Sequence, residues 1–166
     1  STQEKNQHIL HIICIENPNI QTLSIQTQSS FIQNKLQKSF KKFLNTPLNT
    51  PQLNDTKQTL ITWFKKQGYS FFDIITMSFH KQSKTLHISA TDGIIESISF
   101  KGLKNVNKTI LLREMSQKEG HVFNEKTIRK DREKLLRLGY FSAISAPQFK
   151  KGSHPNKLQL SFTVTE

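Results

Sequence analysis

The dipeptide Gly-Tyr occurs twice, at Gly68-Tyr69 and Gly139-Tyr140, about 70 residues apart. Each copy closes a segment with helical apolar spacing and opens one that alternates with period two, and a second alternating run follows. A chain of 166 residues that repeats one helix-then-hairpin unit is expected to fold as two small modules. Repeated modules of this kind serve binding more often than catalysis. Units of about 75 residues lie near the lower limit for an independent core, so neighbours are expected to share burial.

Residues 9–15 are apolar at nearly every position and read as a covered strand. Glu16-Asn17-Pro18 ends it, because proline withholds a ladder donor. A second strand runs roughly over residues 20–26. From Ser30, with Ser29 or Ser30 as cap, Phe31, Ile32, Leu36, Phe40, Phe43 and Leu44 follow helical spacing. Residues 46–51, with two prolines, are expected to form a loop. Asn54-Asp55 should cap a second helix, whose apolar face is Leu60, Ile61, Trp63 and Phe64 and whose stop is a left-handed Gly68. Beyond Tyr69, the alternation places Ile75, Met77 and Phe79 on one side and Thr76 and Ser78 on the other. Leu86, Ile88 and Ala90 return to Asp92-Gly93.

The same order then recurs. A strand over residues 94–101 turns Ile98 and Phe100 inward. Asn107 caps a helix carrying Ile110, Leu111 and Met115, ended by Gly120. Asn124-Glu125 starts another helix with Ile128, Leu135 and Leu138 on its buried face. A strand runs from Tyr140-Phe141 to Phe149, and Leu158, Leu160, Phe162 and Val164 alternate to the end. The fold class is α+β: two tandem β-α-α-β-β modules, each a three-stranded mixed sheet covered on one face by two helices. The expected divisions are 1–17, the last strand of a preceding repeat or an N-terminal extension, then 18–93 and 94–166. Gly68 and Gly139 are read as conformational caps, and Tyr69 and Tyr140 as core packing with a hydroxyl at the rim.

The net charge is +12, with nine Lys against three Asp in residues 18–93 and fourteen Lys/Arg against seven Asp/Glu in residues 94–166. So even a spread argues against a dedicated nucleic-acid stripe. It suits a surface near anionic lipid, or one that meets acidic or unfolded clients. Lys104, Lys108, Arg113, Arg129, Lys130, Arg132, Lys134 and Arg137 read as a solvated helix face, because Glu114, Glu125, Asp131 and Glu133 stand among them at pairing distances.

Cys14 is single, which precludes a disulfide within the chain, and reads as a small buried hydrophobe. His8, His11, His80, His87, His121 and His154 lack ligand spacing, so no metal site is expected. There is no phosphate loop, nucleophile elbow or triad, hence no cofactor and no catalytic residue is expected, and the chain reads as no enzyme. No apolar run reaches 18 residues. The chain starts at Ser1 and reads as a piece of a longer protein.

Residues 98–103 (Ile-Ser-Phe-Lys-Gly-Leu), Gly120-x-x-Phe123, Asp131-x-x-x-Leu135-x-x-Leu138-Gly139-Tyr140-Phe141 and Phe162-x-Val164-x-Glu166 together resemble a polypeptide-transport-associated (POTRA) domain. The first unit is similar, through Glu16-Asn17-Pro18, Trp63-Phe64 to Gly68-Tyr69, and Ile88-x-Ala90-x-Asp92-Gly93. It departs in carrying Asp92-Gly93 where Glu-Gly is usual, and in lacking a glycine after its first strand. The wording looks more like the cyanobacterial and plastid branch than the proteobacterial one. The resemblance covers about 150 residues and implies soluble repeats preceding a membrane β-barrel of the barrel-assembly and chloroplast-translocation superfamily. Such repeats sit in the periplasm or the plastid intermembrane space, tethered to the outer membrane. Their implied partners are unfolded precursor polypeptides and accessory subunits, with no nucleic acid.

In a sheet of this order the last strand lies centrally and the strand after Gly-Tyr lies at an edge. The only charge or proline guarding residues 69–79 is Asp73, and Pro147 alone guards residues 140–149. Strand addition there is the expected mode of capture. The edge residues expected to meet a client are Phe71, Phe72, Ile75, Met77 and Phe79, then Phe141, Ile144 and Phe149. Flanking grooves are expected from Phe31, Leu36 and Phe40, and from Ile110, Leu111 and Met115. The alternative is a scaffold module of an envelope or cell-division protein, marked by a single apolar helix nearby. A module beside a hydrolase domain and a general RNA-binding module are further, weaker readings.

Overall fold

The computed structural model describes residues 16–166; the strand expected over residues 9–15, with Cys14, His8 and His11, lies outside them. Two sheets follow one another along the chain. The first comprises β1 (Thr22–Gln26), β2 (Asp73–His80) and β3 (Thr85–Thr91) in the order β1-β3-β2, with β1 parallel and β2 antiparallel to β3. Between β1 and β2 the chain makes α1 (Ser30–Phe40), a 3-10 turn (Lys41–Phe43) and α2 (Thr50–Lys66). The second unit repeats the plan with β4 (Ile94–Lys101), α3 (Lys108–Glu114), α4 (Glu125–Arg137), β5 (Ala143–Ile144), β6 (Gln148–Lys151) and β7 (Lys157–Thr165). Here β7 is central, parallel to β4 and antiparallel to both β5 and β6. Both units are therefore mixed α+β; the first has the β-α-α-β-β order in a three-stranded sheet, while the second divides its outer strand in two and so has a four-stranded sheet where three strands were expected.

Local chemistry explains most boundaries. Ser29 accepts from Ile32 N–H and Asn124 from Thr127 N–H, each leaving one fewer orphan donor at a helix start. The second helix begins earlier than Asn54-Asp55. Asn49 is its cap and Pro51 falls within the first turn, where a missing N–H is harmless. The helix after Asn107 ends at Glu114 rather than at Gly120, because Met115 is already extended.

Each core forms between the helices and one sheet face. In β3, Leu86, Ile88 and Ala90 are buried while His87 is exposed. They pack with Ile32, Leu36 and Phe40 of α1 and Leu60 and Phe64 of α2. Leu160, Phe162 and Val164 of β7 do the same against Leu111, Ile128 and Leu135. The cores interlock as small units require. Phe71 from the first unit packs into the second core, and Val122 from the second packs into the first.

Two bulges alter the alternation. In β2 the register shifts between Ile74 and Thr76, so Ile74 faces the core and Ile75 is the extra residue, 57% exposed. The expectation that Ile75 shares a face with Met77 and Phe79 fails here, since an inserted residue reverses the side of everything before it. A matching bulge at Glu96 interrupts β4.

Candidate functional site

The strand that follows each Gly-Tyr pair lies at an edge of its sheet, but the two edges differ. β2 runs for eight residues, pairs with β3 alone, and carries neither Lys nor Pro. In the second unit the edge is split. β5 has two residues and β6 four, with Pro147 between them, so the single strand expected over residues 140–149 is not continuous. Proline lacks the ladder donor and breaks the run.

The opposite edges are partly covered from within. Ile20 N–H donates to Thr46 O (3.0 Å) and Asn45 N–H to Ile20 O (2.7 Å), so the interhelix loop shields the approach to β1. Ile95 N–H donates to His121 O (2.9 Å) and Gly120 N–H to Ile95 O (2.7 Å), which does the same for β4. β2 is thus the longest edge without such cover among the described residues.

The expected site residues divide by burial. Phe72, Phe141 and Ile144 are core side chains, as are Leu36, Phe40, Leu111 and Met115. Ile75 and Phe149 are exposed, Phe71, Met77 and Phe79 are half-buried, and Phe31 and Ile110 keep exposed faces. The helix beside β2 is α2, and α4 lies beside β5, whereas α1 packs on β1. A groove next to either outer strand is therefore walled by the second helix of each unit, because the chain enters that strand directly from it.

Tyr140 departs from the reading as core. It is 53% exposed, and Phe141 takes the buried place. Tyr69 is covered by Phe31 and Phe64, with ring centroids 5.8 Å away in both cases.

An acid at the end of each central strand organises the loop after the first strand. Asp92, 1% exposed, accepts from Thr27 Oγ1 (2.5 Å), Gln28 N–H (2.7 Å) and Ser29 N–H (2.8 Å). Glu166 accepts from the N–H groups of Lys104 (2.8 Å), Asn105 and Val106. These donated bonds, Lys104 first, hold the Glu166 carboxyl below its ordinary range. Glu96, at the β4 bulge, accepts from Ser153 and Gln159 and faces Lys157, which lowers its pKa to about 2.

The join between units is a site that sequence reasoning missed. Gly68 O accepts from Glu125 N–H (2.8 Å), Gln67 O from Asn124 Nδ2 (3.0 Å), and Glu125 Oε2 from Ser70 Oγ (2.7 Å). The C-terminus of α2 thus abuts the N-terminus of α4, a favourable meeting of opposite dipole ends. Gly68 is required twice over. Its φ is 99°, and a Cβ there would lie 2.6 Å from Asn124 Oδ1. Gly139, at φ 78°, has open space around it and meets only the conformational demand.

Beside this join opens a cleft of about 500 Å³. Phe71, Phe123 and Phe149 meet there with centroids 5.0–5.3 Å apart. Lys65, Lys126, Arg129 and Arg132 line it, with Glu125 as the one acid. Its lining comes from residues 65–71 and 123–149, two stretches far apart in sequence. No group of three or more His, Cys, Asp or Glu is placed to hold a metal among the described residues, and no described helix is long and apolar enough to cross a membrane.

Residues 93–166 match the sequence model of the POTRA family, described as surface antigen variable number repeat. The match spans the whole of the second unit. The first shares its fold. The N-terminal domain of Omp85 from the thermophilic cyanobacterium Thermosynechococcus elongatus superposes with a TM-score of 0.81 at 19% identity, covering 89% of this chain. POTRA1-3 of the periplasmic domain of Omp85 from Anabaena gives 0.75 at 22% identity over 90% of the chain. The chain spans 66% of each of these structures. CdiB from Escherichia coli, of which the chain spans 29%, gives 0.61 at 16% identity over 99% of this chain. The split edge and the acid at the end of β7 thus lie in the segment that matches the POTRA family, and the first unit differs from it mainly in its unbroken β2.

Proposed function

We propose that the chain is a tandem of two POTRA domains, at residues 18–93 and 94–166, from an outer-membrane β-barrel protein of the Omp85 type. In the periplasm it receives unfolded precursor polypeptides or accessory subunits for membrane insertion or translocation. Capture is by strand addition at β2. The observation that carries this reading is the free side of that strand: eight residues paired on one side only, guarded by Asp73 and one bulge, whose remaining main-chain groups can template another extended segment. Main-chain bonding tolerates many client sequences. Ordering a disordered client offsets much of the gain, so binding is weak.

The test is Ile75→Pro. The residue is the unpaired extra position of a bulge on an edge strand, where proline is tolerated. A fluorescent extended peptide should bind the wild-type chain and lose at least about tenfold in affinity to the variant. The melting curve should stay close to wild type. A folded Ile75→Pro chain with unchanged affinity would count against strand capture.

A further inference from the structure

We propose that the cleft at the join is a second polypeptide site, selective for an acidic segment that carries an aromatic side chain. This rests on the reading that the chain handles polypeptides, and it names one class of segment and the place that takes it.

The cleft gathers positive charge that has no internal ion-pair partner among the described residues. Lys126, Arg129 and Arg132 recur at three-residue spacing and so share one face of α4. Lys65 joins them from the last turn of α2. Of the spaced acids expected to neutralise such a face, Asp131 and Glu114 are engaged away from the cleft, and Glu125 alone lines it. Asp131, 2% exposed, turns inward to accept from Ser116 N–H and Gln117 N–H, both at 2.9 Å. Glu114 pairs with Lys134 at 3.1 Å and with Arg113 at 3.6 Å. Glu125 accepts from Ser70. None of the four cleft cations forms an ion pair among the described residues. Arg132 is nonetheless fixed, since its Nη2 donates to Ile144 O at 2.9 Å.

The floor supplies the second half. Phe123 is fully buried and holds Phe71 and Phe149 edge-on, while Phe149 remains 45% exposed at the mouth. One accessible ring beside four cations, of which Arg132 is held in place, suits one aromatic side chain flanked by carboxylates, with guanidinium groups giving paired, charge-assisted bonds. Single-stranded nucleic acid fits less well, because it needs several exposed rings for successive bases. A lipid surface is too flat to enter a cleft of this shape.

The experiment uses the whole chain and four short labelled peptides: one with a Phe among acidic residues, one with Lys in place of the acids, one with Ala in place of the Phe, and one with neither change but its order scrambled. The acidic Phe peptide and its scramble should bind, and the other two should bind at least about tenfold more weakly. Lys126→Glu combined with Arg129→Glu, both exposed positions, should weaken the acidic peptide by at least about tenfold and favour the Lys peptide instead. Ile75→Pro should leave this binding unchanged. Equal binding of acidic and Lys peptides, indifference to the double reversal, or displacement of the peptide by a single-stranded oligonucleotide at lower concentration would overturn the proposal. Loss of binding in Ile75→Pro alone would assign capture to β2 and exclude the cleft. No peptide binding at all to the wild-type chain would remove both sites.

Discussion

The two outer strands occupy the same topological place and offer different surfaces. β2 presents eight consecutive residues, whereas its counterpart is cut into β5 and β6 around Pro147. Topology decides which strand reaches the border of a sheet; side chains decide whether that border is usable. One proline cuts the second border into two short stubs, whereas the bulge at Ile75 bends the first without ending its pairing with β3. The paired glycines teach the same lesson. Gly68 and Gly139 end equivalent helices, yet only Gly68 carries the neighbouring unit against it.

The largest effect is expected from Phe123→Ala, which should cost about 3–5 kcal/mol. Because its ring holds Phe71 as well as Phe149, urea unfolding followed by NMR probes in each unit should register loosening in both. Confinement of the loss to the second unit would show that the cores are independent. Asp92→Ala should cost about 1–3 kcal/mol, since it removes a buried acceptor shared by the part-buried donors of Thr27, Gln28 and Ser29. Glu166→Ala should cost less, because the donors it serves are largely open to water.

Gly139→Ala should cost about 1–2 kcal/mol, the ordinary penalty of a left-handed alanine. Gly68→Ala should exceed it and also separate the units, seen as lost hydrogen-exchange protection at Glu125 N–H. Equal costs would mean that the Asn124 contact gives way freely. The smallest effect concerns acid. Glu96 has a folded pKa lowered from 4.5 to about 2. Its stabilising contribution is therefore complete above the unfolded value and fades as pH falls from about 4.5 towards 2. Glu96→Gln should flatten the melting temperature of the second unit across that window, and an unchanged slope would assign it to Glu114 and Glu166, whose pKa values are also lowered.

Much of the architecture was legible because period and punctuation agree: Ser29, Asn107 and Asn124 cap where expected, Gly68 and Gly139 stop helices, and the closing strands are central. The start of α2 was misplaced because Pro51 looks like a breaker, although the first turn tolerates it. The bulge at Ile75 was invisible because one extra residue preserves composition while shifting phase. The cleft was hidden for a different reason. Asp131 stands at pairing distance from its basic neighbours along the helix, and only packing reveals that it faces inward.

Amide hydrogen exchange on β2, with and without a saturating extended client, reads strand addition at the backbone itself. Strand addition predicts new protection at alternate amides between Asp73 and His80, those facing away from β3, with little change in β6. Protection absent from β2, or spread evenly over both sheets, would contradict it.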